Sequence, residues 1–350
     1  MQRLFTTLEE YRQERYEELE TKLLEDMGRH LGKNFAGLRA DFFSRMDKAI
    51  AAAQQTQAEL NLPCGYISLS LLRTSLLRAS PEWQIDFYDR EWVYGEPWQR
   101  ERFAAKELFA HWEEFCREAL DDRYFVRSRL QSTAIKTLLG GTVEKLLYLY
   151  MGVAKYFFRP FTVAADLPNL EKLGKAPDFF LTGGEYLDWQ ERLYGERPPI
   201  DLLDIPSNED VTFRDFRGQI FSQGELTGQN MAHCRFRACE FREFNFSEVS
   251  LADAWLSDCR FSKVNFSRVN LTGTLFSDCN FKDCHFTQCR AVPETDEYFA
   301  PGEFCQSKLR RVVIEGGDLS HFCLRDSWGE DVTIKETLYN AKDWEAILHG

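Results

Sequence analysis

From Phe216 to Ala291 an apolar or small residue recurs at every fifth position: Phe216, Phe221, Leu226, Met231, Phe236, Phe241, Phe246, Leu251, Leu256, Phe261, Phe266, Leu271, Phe276, Phe281, Phe286 and Ala291. Two places before many of these centres stands a smaller residue, as at Cys234, Cys239, Val249, Ala254, Cys259, Val264, Val269, Thr274, Cys279, Cys284 and Cys289. A helix would sweep a five-residue period around its whole circumference, and a strand would throw successive centres to opposite faces. The period therefore belongs to a coil that turns a corner every five residues.

One large and one small inward side chain per five residues is what a narrow solenoid needs. The large one fills the axis, the small one lets the next wall approach, and so short a repeat buries its apolar face only by stacking on its neighbours. Val264-Asn265-Phe266-Ser267-Arg268, Val269-Asn270-Leu271-Thr272-Gly273 and Cys279-Asn280-Phe281-Lys282-Asp283 resemble the motif of the pentapeptide-repeat family: a small residue, often Asp or Asn, a central Leu or Phe, then two variable residues. The resemblance implies a right-handed, four-sided β-helix with four pentapeptides per coil, spanning about 211–340. That geometry predicts columns at twenty-residue spacing: Phe241, Phe261 and Phe281; Phe246, Phe266 and Phe286; Cys239, Cys259 and Cys279. The phase breaks after Ala291, where 292–303 holds four acids and no base, and it resumes at Phe304, Leu309, Ile314, Leu319 and Leu324. Thirteen residues between Ala291 and Phe304 are not a multiple of five, which predicts a loop inserted at one corner. About six coils at ~4.8 Å give a rod of roughly 29 Å.

Residues 1–200 form a second, α-rich domain, joined through a linker or cap at 201–210; a C-terminal cap is expected at 341–350. Thr7 to His30 and Phe35 to Leu60 carry apolar residues at helical spacing and read as two helices. Tyr66 to Leu72 and Trp83 to Asp89 alternate around the turn signal Ala79-Ser80-Pro81, predicting a β-hairpin over about 66–89. Pro97 suits the first turn of a helix reaching Leu120, and Arg127 to Phe158 reads as helix, broken near Gly140-Gly141. Phe157 to Pro199 reads as irregular, with a short apolar helix around Tyr186 to Leu193. The fold class is thus a two-domain α + β chain.

At 350 residues and 44% apolar content there is ample material for two packed cores. The most apolar stretch, Leu146 to Phe161, is interrupted by Lys155 and Arg159 and reads as a buried helix rather than a membrane span, and the N-terminus lacks the apolar core of a signal peptide. A bacterial, cytoplasmic location is expected. Eight of the ten cysteines lie in the repeats, six of them in the small-residue slot, so they read as buried packing residues in a reducing compartment. Cys279, Cys284 and Cys289 enter from three different walls around a Phe-filled axis, which argues against a metal centre.

No catalytic constellation, cofactor loop or metal-ligand spacing emerges, so an enzyme is not expected and no cofactor is assigned. Glu113-Glu114 and Asp121-Asp122 point about 100° apart on a helix and read as a solvated face. Some pentapeptide-repeat proteins confer quinolone resistance by resembling DNA to gyrase, and the net charge of -13 suggests the same here. The distribution opposes it: 211–291 holds nine acids against ten bases, whereas 1–210 holds 35 against 27. Direct nucleic-acid binding is disfavoured because Arg235, Arg237, Arg242, Arg260 and Arg268 interleave with Glu240, Glu243, Glu248 and Asp258. The function class that remains is a non-enzymatic protein–protein interaction scaffold or regulator, its partner another protein or a second copy of the chain. The alternatives are a gyrase-interacting DNA mimic and an enzyme with an unrecognised site in the N-terminal domain. Candidate partner-binding residues are the aromatics Trp83, Tyr88, Trp92, Tyr94 and Trp98, which combine apolar area with polar edges, and Glu294, Asp296 and Glu297 of the acidic loop.

Overall fold

A computed structural model describes residues 5, 7–121, 132–159, 161–198, 200–203, 210–292, 301–342 and 344. The chain divides into two compact units, Met1–Leu193 and Tyr194–Gly350.

The first unit begins with one continuous run of helix. Thr7 caps it, its hydroxyl accepting from the Glu10 amide at 3.1 Å. After a π-helical turn at Arg12–Tyr16, helix α1 (Glu17–Leu60) runs 44 residues to Asn61, whose left-handed φ of 53° ends it. The expected interruption between His30 and Phe35 is absent: Leu19, Leu23 and Met27 before it and Phe42, Phe43, Met46 and Ile50 after it are buried, and that packing outweighs the propensity cost of Gly32. Strands β1 (Cys64–Leu71), β2 (Glu82–Tyr88) and β3 (Gln99–Ala104), helices α2 (Trp112–Ala119) and α3 (Ser132–Phe158), and strands β4 (Lys175–Glu185) and β5 (Gln190–Glu196) follow. The sheet order is β3-β2-β1-β4-β5, with β1 antiparallel to β2 and parallel to β4.

Three sequence expectations fail here. The segment after Pro97 is strand β3 rather than helix, since Gln84, Asp86 and Phe87 of β2 pair with Arg102, Arg100 and Gln99. Helix α3 passes through Gly140-Gly141 unbroken, held by buried Leu139, Val143, Leu146 and Leu147; Arg127 to Gln131 lie outside the described residues. The apolar stretch near Leu193 is strand β5, where Gly183 makes room for the Leu193 side chain. One face of the sheet is apolar and packs on the helices. Trp83 of β2 stands 4.9 Å from Phe42 of α1 and 4.8 Å from Tyr150 of α3, centroid to centroid.

The second unit is a parallel β-solenoid of about six coils. Three faces are six-stranded parallel sheets, and the fourth is a line of turns joined by the bridges Asn230↔Ser250, Ser250↔Asn270, Asn270↔Arg290 and Arg290↔Asp318. All sixteen fivefold centres from Phe216 to Ala291 are buried. The columns stand at twenty residues: Phe241, Phe261 and Phe281 stack at 5.2 and 4.6 Å, and Phe246, Phe266 and Phe286 at 5.1 and 4.5 Å. Two residues after each centre from Phe216 to Phe286 the backbone is left-handed, with φ between +50° and +73°, and this is what turns each corner. On the fourth face Asn230 and Asn270 help, their Oδ1 atoms accepting from the amides of Ala232 and Thr272. Phe244 occupies a slot meant for a small side chain; Gly224, one coil earlier, leaves the space, since a Cβ there would lie 2.5 Å from the Phe244 ring.

The phase break is an insertion of eight residues, because Phe276 pairs with Phe304, 28 positions on instead of twenty. Most of the expected loop, 293–300, lies outside the described residues, including Glu294, Asp296 and Glu297. Glu303 does not belong to a loop. It lies in strand Gly302–Cys305, 6% exposed, and its Oε1 accepts from Arg325 Nε at 2.6 Å. At the C-terminal end Trp344 is buried, and its indole N–H donates to the Phe322 carbonyl at 2.9 Å.

Two substitutions test the register. Phe261→Asp places an unpaired carboxylate inside the column and should cost more than about 4 kcal/mol, whereas Phe261→Leu should cost about 1 to 2 kcal/mol. A thermal melt of the Asp variant matching the parent contradicts the inward assignment. Gly228 has φ +73° with nothing within 4 Å of where a Cβ would sit. Gly228→Val should therefore lose about 1 to 2 kcal/mol from backbone conformation alone, read from denaturant midpoints.

Candidate functional site

The inward slots leave little to chemistry. In the small-residue slot, Cys239, Cys259, Cys279, Cys284 and Cys289 each point their thiol at the carbonyl of the centre 23 residues earlier: Phe216, Phe236, Leu256, Phe261 and Phe266, at 3.3 to 3.5 Å. Thr274 and Ser327 do the same with hydroxyls, to Leu251 at 2.8 Å and Phe304 at 3.0 Å. The slot thus favours a small side chain with a donor, which explains Cys, Ser and Thr in one role. Burial pushes the Cys284 thiol up to about 11 and Cys289 up to about 12, so these sulfurs stay protonated and poorly nucleophilic. Among the described residues no three His, Cys, Asp or Glu gather as a metal site.

The outward residues are sorted by column. The second face, with centres Phe221, Phe241, Phe261, Phe281 and Leu309, exposes Arg242, Arg260, Lys282, Lys308 and Arg310. Glu240 and Glu330 are its carboxylates; Arg242 engages Glu240 at 2.7 and 2.6 Å, and Arg310 reaches Glu330 at 3.3 Å. Arg260, Lys282 and Lys308 have no ion-pair partner among the described residues and stand on three successive rungs, about 4.8 Å apart. The corner on one side carries Asp258, Asp278 and Asp326. The corner on the other side alternates in sign, Glu243, Lys263, Asp283, Arg311: Lys263 meets Glu243 at 2.9 Å, and Arg311 grips Asp283 at 2.6 and 2.9 Å. The near-neutral sum of the repeats therefore hides a basic stripe beside an acidic one. The third face is mostly neutral, with Asn265 donating to Asn245 at 2.8 Å.

The aromatic candidates separate. Trp83 and Tyr88 are corrected to core residues: both are buried, Trp83 between α1 and α3, and burial beside Asp86 pushes the Tyr88 hydroxyl up to about 12. Tyr94 is 93% exposed. Trp92 stacks on Tyr66 at 4.8 Å and its indole N–H donates to Ser68 Oγ at 3.0 Å. Trp98 packs on Phe87, and its indole N–H is buried with no partner.

Around Trp92 lies a feature the sequence did not reveal. The sheet face opposite the helices carries Ser68 and Ser70 (β1), Gln84 and Asp86 (β2), Arg100 and Arg102 (β3), Thr182 (β4) and Gln190 (β5), placed by the registers Ser68↔Asp86↔Arg100, Ser70↔Gln84↔Arg102 and Ser68↔Thr182. They form a network: Ser68 with Thr182 at 3.0 Å, Thr182 to Gln190 at 2.9 Å, Gln190 to Ser70 at 3.1 Å, Gln84 Nε2 to Asp86 Oδ2 at 2.7 Å, Arg100 Nε to Asp86 Oδ1 at 2.6 Å and Arg102 Nε to Gln84 Oε1 at 2.9 Å. Ser68, Ser70, Gln84, Asp86 and Thr182 are buried, whereas both arginines remain exposed. The hydrogen bond to Asp86 raises the Arg100 guanidinium above its ordinary value. The only signal available in sequence was the alternation of β1 and β2, which does not distinguish a buried polar face from a solvated one.

Among known proteins, the pentapeptide-repeats family model matches residues 245–283 in eight copies. No curated protein matches the chain. Solved structures similar to it include a pentapeptide repeat protein, Rfr23, from the cyanobacterium Cyanothece 51142, at 10% identity over 37% of this chain and 90% of that one, TM-score 0.23. Trypsin-treated QnrB1, a plasmid-mediated fluoroquinolone resistance protein, aligns at 15% identity over 38% of this chain and 78% of its own, TM-score 0.19. HetL, a pentapeptide repeat protein involved in heterocyst differentiation regulation from the cyanobacterium Nostoc, aligns at 15% identity over 36% of this chain and 62% of its own, TM-score 0.20.

The thiols supply a pH test. The folded pKa values of Cys284 and Cys289 lie above the unfolded value of about 8.5, so the stability linked to them is complete below that pH and is lost as pH climbs toward 12. Cys289→Val should cost about 1 kcal/mol at pH 7, for one lost S–H···O bond, and should lose less stability than the parent between pH 9 and 11. Urea midpoints across that range check both signs.

Proposed function

We propose that this chain, whose C-terminal unit is a pentapeptide-repeat solenoid, is a non-enzymatic protein–protein interaction scaffold that offers the second face of its solenoid to an acidic surface on another protein. The observation that carries the reading is that Arg260, Lys282 and Lys308 stand exposed on consecutive rungs and form no ion pair among the described residues, Arg260 and Lys308 in one register column and Lys282 in the next. A sheet of stacked short strands fixes these side chains' spacing before any partner arrives, so little backbone order is lost on binding. The stripe is also narrow. A duplex laid along it would bring phosphates against the Asp258, Asp278 and Asp326 column, whereas a protein surface with a matching row of carboxylates meets only the basic rungs. Among the described residues no helix is long and apolar enough to cross a membrane.

A DNA mimic needs a surface of the opposite sign. A mimic must set negative charge against a basic nucleic-acid groove, and the second face here carries five bases against two acids. Purified protein is therefore expected to leave gyrase supercoiling, with or without a quinolone, unchanged. Protection of gyrase by the folded chain contradicts the scaffold reading.

Charge reversal tests the face itself. The triple variant Arg260→Glu, Lys282→Glu, Lys308→Glu should keep the parent's circular dichroism and melting temperature within a few degrees, because all three side chains are exposed. Its partner, recovered with the parent at low salt, should bind at least about tenfold more weakly, and the parent's own affinity should fall as salt rises. Equal binding by parent and variant rules this face out.

A further inference from the structure

We infer that the β3 edge of the polar sheet face in the first unit is a binding site for a small organic anion, whose carboxylate or phosphate is held between Arg100 and Arg102. The two arginines are two residues apart on an edge strand, so they project on the same side, roughly 7 Å apart at their Cα atoms. Each is anchored through Nε: Arg100 on Asp86 at 2.6 Å and Arg102 on Gln84 at 2.9 Å. Anchoring through Nε leaves the Nη edge of the fork, the part that matches an oxyanion, available for another partner. Arg102 makes no other hydrogen bond or ion pair among the described residues, and Arg100 uses one Nη, donating to the Tyr186 hydroxyl at 3.1 Å.

The anchors are themselves fixed. Gln84 and Asp86 are both 0% exposed, and Gln84 Nε2 donates to Asp86 Oδ2, which leaves the Gln84 carbonyl oxygen facing Arg102. A charge that merely protects a sheet edge from pairing needs no such support, since any exposed lysine serves. Burying a carboxylate and an amide beneath two guanidiniums costs desolvation, and what it secures is the position of the two forks. The charge is also right: Asp86 compensates Arg100, but Arg102 stands on a neutral amide, leaving a local excess of one positive charge. Beside the pair, the Tyr186 ring lies 5.7 Å from the Arg100 guanidinium, and Trp92, flat on Tyr66, donates its indole N–H to Ser68 on the Asp86–Arg100 rung, so the organic part of the ligand meets aromatic surface.

The test uses the full chain and four probes, inorganic phosphate, acetate, phenyl phosphate and benzoate, read by titration calorimetry and thermal shift. Phenyl phosphate or benzoate should bind more tightly than the bare ion of the same group, and which of the two binds better identifies the oxyanion. Arg102→Gln, chosen because the side chain is exposed and its loss strands no buried charge, should melt like the parent without ligand and lose the ligand-induced shift. Arg102→Lys keeps the charge but not the fork and should weaken binding by about tenfold. Arg78→Gln, at an exposed position away from the pair, should bind as the parent does. The inference is overturned if none of the probes binds at millimolar concentration, or if Arg102→Gln binds as tightly as the parent.

Discussion

Every fifth residue of the solenoid from Phe213 to Gln288 takes a left-handed backbone conformation, and the rest of that unit follows from it. The corner residues run Phe213, Gly218, Gln223, Gly228, His233 and onward to Gln288, each with φ near +50° to +73°. Such a conformation costs a non-glycine residue roughly 1 kcal/mol. It persists because each corner is bonded to the coil above: the amides of Gln223, Glu243 and Lys263 donate to the carbonyls of Arg242, Ser262 and Lys282 at 2.9 to 3.0 Å. Strain at the corners and stacking of the rungs are thus one cooperative arrangement, and neither survives without the other.

Once the corners recur at five, each column becomes a chemical unit. Inward columns of Phe stack face to face at 4.5 to 5.2 Å, and the thiol column satisfies carbonyls at the turns. Outward columns gather like or unlike charges according to what stands twenty residues away, which is how a segment of near-zero net charge comes to display a basic stripe and an acidic one side by side. The first unit reaches its polar surface by the opposite route. There a single sheet hides Ser, Thr, Gln and Asp beneath exposed arginines, and the network makes burial tolerable by leaving few of its polar groups without a partner.

The solenoid was legible because, Phe244 apart, the large and small slots from Phe236 to Phe286 keep to their own sizes, so Phe241, Phe261 and Phe281 announce their column without any knowledge of the rest of the chain. The first unit was legible only in part. Tertiary packing carries α1 through Gly32 and α3 through Gly140-Gly141, where local propensity predicts a break. Strand β3, Gln-Arg-Glu-Arg-Phe-Ala, has no apolar alternation: it is an edge strand whose Arg100 and Arg102 sit opposite Asp86 and Gln84, and on its other face only Phe103 is apolar. Phe157 to Pro199 reads as irregular, yet 175–185 is strand β4, in which Gly183 makes room for Leu193 and Gly184 for the Trp189 carbonyl. Polar residues that are buried in a network look the same in sequence as polar residues in water, which is why Trp83 and Tyr88 stood out as candidate surface and Gln84 and Asp86 did not.

The residue twenty positions on, rather than local sequence, sets each side chain's environment in the solenoid. Deleting 251–270 removes one whole coil and keeps every column in phase, joining Phe246 directly beneath Phe286. Deleting 251–268 removes almost the same residues and puts every later column two places out. Thermal unfolding followed by far-ultraviolet circular dichroism should show a cooperative transition for the first variant and none, or one shared with only the first unit, for the second. Equal cooperativity in both would contradict the claim.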